Sequence, residues 1–232
     1  MNGKERRLMI AVLAGFAAFG AWLNWFNPSH MSFVCQEDGF VEYSEAFLYF
    51  FAAGLFAWVG AQKGFRNLWH WGYAALFLLV AGEEVSWGQR IFDIKSPESF
   101  EMANVQHETN LHNLAGIHEH HHLYGILVCA TICFAIPLAV RLVPALRRLC
   151  QRLRMPVYPL WTWSLPFIGF AFMVIPRLFG NNRDFKLDEM GELYLAMAFF
   201  GFALDAYRNW RRHFGRRPVA RLQEAPLLRR AA

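Results

Sequence analysis

The sequence predicts an all-α integral membrane protein with about six transmembrane helices and a structured outward-facing loop between spans three and four. Two observations carry this prediction: six apolar runs are long enough to be spanning helices, and the segments between them alternate in charge. Of the 18 acidic side chains, 15 fall on one side of these runs, and 18 of the 23 basic side chains fall on the other. We expect a single polytopic membrane domain over residues 1–232.

The apolar runs place the six spans, in chain order, at about 8–26, 44–61, 68–86, 123–143, 157–176 and 187–206. The first run follows a basic start, as in a signal peptide. It continues for about 19 residues without a charge, which is longer than a cleaved signal needs, so we interpret it as a retained helix. Pro137, Pro166 and Pro176 predict kinks or early ends in spans four and five.

Basic residues cluster at the amino terminus, after spans two and four, and in the tail 207–232. The positive-inside rule therefore places both termini in the cytoplasm and the acidic face in the periplasm, which predicts a multi-pass protein of a bacterial inner membrane. Short juxtamembrane clusters of arginine indicate topology signals and contacts with anionic lipid headgroups rather than nucleic acid. The expected partners are the lipid bilayer and a lipid-linked substrate or another membrane protein. The four cysteines form no disulfide framework.

The outward loop, residues 87–122, is too long to be a simple turn. Ser96 is expected to cap a short interfacial or re-entrant helix over 97–105, with Pro97 at its first position. A second helix is expected to begin near Thr109 or Asn110 and to run into span four. Where this loop enters the membrane, its irregular backbone must be surrounded by protein or by a water-filled cavity.

The strongest local pattern is Gly-Glu-Glu-Val-Ser-Trp-Gly-Gln-Arg at 82–90, at the outer end of span three. The apolar part of that span covers about 21 Å, so Glu83 and Glu84 lie at or below the outer interface. Carboxylates there are costly unless they are paired, protonated or hydrated. An ion pair with Arg90 that locks helices together is the structural alternative. One ion pair needs a single acid and Arg90, whereas this segment has two adjacent acids accompanied by Ser and Gln. The additional polar side chains predict a functional site.

A second pattern, Asn-Val-Gln-His-Glu-Thr-Asn-Leu-His-Asn at 104–113, is rich in side chains that bind metals, sugars or phosphates. Glu108 and His112 are spaced i, i+4 and would share one face of a helix. With Glu84 they form the predicted metal site, and a divalent metal such as Zn²⁺ is the candidate cofactor. A hydrated loop is the alternative interpretation.

Spans two and six begin with the same spacing of residues. Asp38, Glu42 and Ala46 repeat as Asp188, Glu192 and Ala196. The repeat is either a trace of duplication or a coincidence. In both cases acids spaced i, i+4 share one helix face, so each helix is predicted to present a carboxylate pair at the same membrane level.

The motifs at 82–90 and 104–113 resemble those of an uncharacterised bacterial multi-pass membrane protein family, and the resemblance covers about a third of the chain. The resemblance implies a set of signature residues for that family but no mechanism. The signature residues are Glu83, Glu84, Trp87, Gln89, Arg90, Gln106, Glu108, Asn110, His112 and Asn113.

Two protease patterns are alternatives. His118 and His122 satisfy H-E-x-x-H, in which both would bind zinc and Glu119 would act as the base, although a run of four histidines also fits an adventitious or solvated cluster. Glutamate proteases of the CAAX-processing type also begin with a Glu-Glu pair. In this chain, however, Arg90 follows Glu84 by six residues rather than four, and the later F-x-x-x-H element is missing.

The clustering of these groups on one face favours a membrane hydrolase or transferase that acts on a lipid-linked or membrane substrate. A transporter lined by carboxylates and a complex subunit or assembly factor are the alternatives. The predicted catalytic residues are Glu83, Glu84, Arg90, Glu108 and His112. The predicted substrate-binding residues are Glu42, Trp87, Gln89, Gln106, Asn110, Asn113, Asp188 and Glu192.

Overall fold

A computed structural model describes residues 3–36, 39–63, 67–117, 120–178 and 187–214. The all-α prediction is confirmed, because the described residues form helices and no strand. The α-helices are α1 (Gly3–Phe26), α2 (Pro28–Val34), α3 (Phe40–Lys63), α4 (Leu68–Glu84), α5 (Gln89–Phe92), α6 (Glu98–Ala103), α7 (His121–Ala130), α8 (Ile136–Leu142), α9 (Pro144–Arg152), α10 (Ser164–Leu178) and α11 (Leu187–Phe214).

Each predicted span coincides with a helical segment, but the helices differ in how well they suit a membrane. Within the described residues, Phe40–Gln62 and Leu123–Leu142 are long and apolar enough to cross a bilayer, and Ser164–Ile175 is apolar but shorter. Leu123–Leu142 is only 11% buried within the protein, so its apolar surface lacks a protein partner over most of its area. Membrane association is therefore supported, while six spans and their orientation stay predictions.

The centre of the bundle is formed by α3, α4 and α11, and α10 packs on the outside of α11. Phe56 of α3 lies at the middle of an aromatic layer, where its ring centroid is 5.1 Å from Tyr73 and 5.1 Å from Phe202. Phe77 packs on the same ring at 5.7 Å. Large buried side chains of this kind supply most of the apolar burial that holds the helices together.

The crossing of α10 and α11 depends on two glycines. A Cβ atom on Gly191 would stand 2.6 Å from Cγ of Met173 and 2.8 Å from the carbonyl oxygen of Gly169. No real Cβ tolerates such distances, so the two backbones approach as closely as they do because neither residue carries a side chain. This contact fixes α11 immediately beside Glu192.

Prolines accompany irregularities in spans four and five, but not at every predicted position. The helix of span four contains a π-helical turn at Thr131–Ala135 just before Pro137, whose missing N–H and bulky ring disturb regular α-helical bonding. The predicted kinks or early ends at Pro166 and Pro176 are wrong, because α10 is one helix over Ser164–Leu178 that contains both residues. This helix begins later than the predicted residue 157, since residues 155–159 form no helix and Pro159 is extended.

Candidate functional site

The first turns of α3 and α11 and the last turn of α4 meet at one end of the bundle, because α4 runs antiparallel to the other two helices. Each helix contributes acidic side chains there. Glu45, Glu84 and Glu192 come together most closely: one carboxylate oxygen from each lies within 4.8 Å of the other two. We call these three residues the acidic triad.

Glu45 is the buried member of the triad, with a side chain only 1% exposed. Its Oε1 atom has no hydrogen-bond partner among the described residues. Buried polar atoms in native proteins almost always have a partner, and three carboxylates this close repel each other unless a cation or protons lie between them. The geometry of the triad therefore suits a bound cation.

Further groups lie close to the triad. The charges of Glu42 and Glu189 act on both Glu45 and Glu84, so these two carboxylates lie near the triad. Tyr49 follows Glu45 by one helical turn on the same face of α3, so its phenol lies next to the triad towards the interior of the bundle.

Glu83 has a different role from its neighbour Glu84. Its Oε2 atom accepts the backbone N–H groups of Leu111 at 2.6 Å and His112 at 3.1 Å. Its Oε1 atom accepts the indole N–H of Trp87 at 2.9 Å, and the His112 ring nitrogen Nδ1 lies 3.4 Å from Oε2. This carboxylate therefore fastens the outward loop to the end of α4.

A buried polar network continues that attachment. Ser86 donates to Glu108 at 2.5 Å, and the Asn110 amide donates to both Ser86 and Glu108. Asn104 donates to Asn110 and accepts the backbone N–H groups of residues 106 and 108. Ser86, Asn104 and Asn110 are all buried. A satisfied network of this kind fixes the loop in one conformation.

Outer contacts complete the loop. Gln89 donates to Ser96 at 2.7 Å and accepts the backbone N–H of Thr109 at 2.6 Å. Asn113 donates to Gln106 through its side-chain amide. The backbone segments around 104 and 114 pair in antiparallel fashion, which closes residues 104–114 into a compact turn. Most of the predicted signature residues thus hold one another in place.

The corner between α4 and the loop is conformationally unusual. Ser86 and Trp87 both have positive φ, at 45° and 55°, which non-glycine residues seldom adopt. The Trp87 ring folds back across Gly82, where an added Cβ would stand 2.8 Å from the indole. The helix therefore ends at Glu84, and Glu83 and Trp87 meet through this corner rather than along a continuous helix face.

Three sequence-based expectations are corrected. Ser96 is not a helix cap, because its hydroxyl donates to the carbonyl of His107, and α6 begins after Pro97. No helix starts near Thr109 or Asn110, because side chains bind the backbone N–H groups of that segment: Asn104 accepts from residue 108, Gln89 from residue 109, and Glu83 from residues 111 and 112. Glu108 and His112 consequently do not share a helix face.

The predicted metal ligands are distributed differently from the expectation. Glu84 belongs to the one group of three that the described residues bring within metal-binding distance, but its companions are Glu45 and Glu192. Glu108 binds Ser86 and Asn110, and His112 contacts Glu83. Asp188 lies one turn before Glu192 on α11. Several expectations concern groups outside the described residues or side chains, namely Asp38, Arg90, His118, Glu119 and His122.

Glu45 is the site residue that sequence analysis missed. The repeat of spacing drew attention to Glu42, one turn earlier, and a helix face cannot be assigned without knowing which neighbour it packs against. The available signal was an acidic residue followed by the apolar run Ala-Phe-Leu-Tyr-Phe-Phe. A carboxylate at the start of an apolar run within a predicted span is costly and indicates a function.

Comparison with known proteins gives no family and no function for this chain. No protein-family model matches the chain, and no curated protein or solved structure matches it either.

Proposed function

We propose that this protein is a metal-dependent membrane hydrolase or transferase whose acidic triad binds one divalent cation at the outer end of the helical bundle. The observation that carries the proposal is the convergence of Glu45, Glu84 and Glu192 within 4.8 Å, with Oε1 of Glu45 unpartnered among the described residues. Two oxygens on opposite sides of a cation lie about 4 to 5 Å apart, so the spacing fits a shared ion after small side-chain adjustments.

The chemistry of the ligands selects the class of metal. Carboxylate oxygens are hard ligands, which suit Mg²⁺, Mn²⁺ or Ca²⁺ better than softer metals. The sequence suggested Zn²⁺ through His112, but that side chain contacts Glu83 rather than the triad. The proposal therefore replaces zinc with one of these harder cations.

A cation held by the triad would polarise a phosphoryl or acyl oxygen of the substrate and favour ionisation of a bound water. In hydrolysis a water molecule would add to phosphorus or to the acyl carbon and lose a proton, and the bond to the leaving group would break. Glu42 and Glu189 supply further carboxylates beside the triad that accept the proton lost by water, and the leaving group takes up a proton as it departs. In transfer, an acceptor hydroxyl takes the place of water.

The surface near the triad supports a membrane substrate. The loop that Glu83 fastens beside Glu84 has buried polar side chains, and it exposes apolar ones: Trp87, Ile91, Phe92, Ile94, Met102 and Val105. Phe92 is 71% exposed and Met102 79% exposed. The same loop also exposes charged side chains, among them Asp93, Lys95, Glu98 and Glu101, so its surface is amphipathic and suits the boundary between lipid and water. A substrate embedded in the leaflet would therefore meet the triad from the bilayer side.

The packing below the triad favours an enzyme over a transporter. Tyr49 and Phe77 lie directly inward, and Phe199 packs on both with centroid distances of 6.2 and 5.1 Å. The aromatic layer around Phe56 lies next along the bundle, on the side away from the triad. A cation path would need polar groups through this region, whereas the described side chains there are aromatic and tightly packed. The triad is thus closed off on its inner side by packed aromatic side chains and does not open into a path for cations.

Activity can be tested without knowing the substrate. Full-length protein in proteoliposomes made from bacterial total lipid extract is incubated with Mn²⁺, Mg²⁺ or EDTA, and the lipids are compared by mass spectrometry. We expect a lipid species that disappears with wild type and metal, but persists with EDTA or with Glu45→Gln. If no species depends on both the metal and Glu45, the enzymatic proposal is wrong, and a structural or partner-binding role takes its place.

A further inference from the structure

A cavity of about 350 Å³ lies at the opposite end of the bundle from the acidic triad. It is open to solvent on one side and is lined by the start of α4, the end of α8, helix α9 with the segment that follows it, and the last third of α11. Asp205 in its wall follows Glu192 by 13 residues on α11, which is about 20 Å along the helix axis. The aromatic layer around Phe56 lies between the two sites, so this cavity is independent of the acidic triad.

The polar wall of the cavity is dominated by Arg147 and Arg154, with Asp205 as its acidic side chain. Asp205 is already engaged, because it accepts the Asn209 amide at 2.8 Å and the Trp161 indole N–H at 3.3 Å. No ion pair joins either arginine to an acid among the described residues. The cavity therefore carries a net positive charge that no described side chain neutralises.

Backbone carbonyls orient the exposed side chain of Arg147. Its Nε and Nη2 atoms donate to the carbonyl oxygens of Val140 at 3.3 Å and Arg141 at 2.8 Å, which are orphan acceptors at the end of α8. A guanidinium group has five N–H donors, so three are left for a ligand. The structure thus already directs this group before any ligand binds.

Arg154 occupies a position where glycine is normally found. Its φ is 53°, and it follows the end of α9 in a Schellman motif: the Arg154 N–H bonds the Gln151 carbonyl, and the Met155 N–H bonds the Cys150 carbonyl. Glycine is preferred there because the left-handed conformation disfavours a Cβ atom. An arginine at this point costs stability, which suggests that its side chain serves another purpose at the cavity.

We propose that this cavity binds a phosphate ester, with Arg147 and Arg154 on the phosphate oxygens. Two guanidinium groups match the charge and the planar hydrogen-bonding pattern of a phosphate. The remaining wall includes Val140, Val157 and Phe202, which suit the carbon skeleton attached to the phosphate. The volume falls within the range of small-molecule sites. A phospholipid headgroup and a soluble phosphate ester both provide this chemistry.

The test compares two probes on the untagged full-length protein. Native mass spectrometry in uncharged detergent measures retention of added phosphatidylglycerol, and calorimetry measures binding of glycerol 3-phosphate. The variant is Arg154→Gln, and Arg152→Gln is the matched control, because it removes the same charge from the same helix end without lining the cavity. Arg154→Gly is a second variant that must fold, since glycine suits the left-handed conformation.

We expect Arg154→Gln and Arg154→Gly to weaken binding of at least one probe by roughly tenfold or more, while Arg152→Gln leaves it within about twofold. Binding of phosphatidylglycerol alone identifies a lipid headgroup as the ligand, and binding of glycerol 3-phosphate identifies a soluble ester. Two results overturn the proposal: neither probe binds wild type, or Arg152→Gln weakens binding as much as Arg154→Gln does.

Discussion

Glu83 and Glu84 are adjacent in the chain, yet their side chains belong to different structures. Glu83 accepts the backbone N–H of Leu111 at 2.6 Å and fastens the outward loop. Glu84 turns to Glu45 and Glu192 and completes the acidic triad. The pair therefore joins a carboxylate that fastens the loop to a member of the acidic triad, and replacing each in turn separates the two roles.

The first prediction concerns this pair. Glu83→Gln removes charge-assisted hydrogen bonds to two backbone N–H groups, so we expect a loss of about 1.5 to 3 kcal/mol in the stability of the loop. Hydrogen exchange of the amides of Leu111 and His112 measures it. Glu84→Gln should leave those amides protected, because its side chain has no part in that attachment. Equal exchange in the two variants would show that the two carboxylates do not have separate roles.

The second prediction concerns the buried amide network. Asn104→Ala removes the acceptor of the Gln106 and Glu108 N–H groups and the donor to Asn110. Leaving buried polar groups without partners should lower the free energy of unfolding by about 2 kcal/mol or more. Thermal denaturation in detergent measures the change. Ser99→Ala, at an exposed position of α6, is the control and should be neutral, so an equal effect there would contradict the assignment.

The third prediction concerns the crossing of α10 and α11. Gly191→Ala places a Cβ atom 2.8 Å from the Gly169 carbonyl oxygen, so the helices must separate. We expect a loss of about 1 to 3 kcal/mol and weaker cation binding, because the adjacent Glu192 moves away from the triad. Gly72→Ala on α4 meets nothing within 4 Å and should be neutral or slightly stabilising. Unchanged stability and cation binding in Gly191→Ala would show that this close approach is unimportant.

The fourth prediction concerns the exposed apolar surface of the loop. A spin label at Phe92→Cys, in a chain whose four native cysteines are replaced by Ala, should be more accessible to oxygen than to a water-soluble nickel complex, because we expect residue 92 to lie in lipid. A label at Glu101→Cys, on an exposed polar position of α6, should show the opposite preference. Equal access to the nickel complex at both positions would place the loop in water.

The sequence was most informative where physical constraints are local. Apolar runs predicted the six long helical segments of the described residues, although the fifth begins at Ser164 rather than near 157. Pro97 marked a helix start within one residue, and Pro137 follows the end of a π-helical turn by two residues, since a ring without an N–H acts on its own surroundings.

Tertiary contacts determined what the sequence could not predict. The i, i+4 spacing of Glu108 and His112 implied a helix, but the side chains of Asn104, Gln89 and Glu83 bind the backbone N–H groups of that segment instead. Glu45 joined the triad because α3 packs on α4 and α11 through that particular face. Glu42 lies three residues earlier on nearly the same side of α3, so no periodicity within the helix shows which of the two acids joins the triad.

Manganese binding tests the central claim most directly. Untagged, detergent-purified protein is titrated with Mn²⁺ while free Mn²⁺ is followed by electron paramagnetic resonance, for wild type, Glu45→Gln and the control Glu42→Gln. The triad predicts one Mn²⁺ per wild-type chain, loss of that site in Glu45→Gln, and retention in Glu42→Gln, since Glu42 lies outside the triad. Absence of a bound ion in wild type, or an equal loss in Glu42→Gln, would contradict a cation site built on Glu45, Glu84 and Glu192.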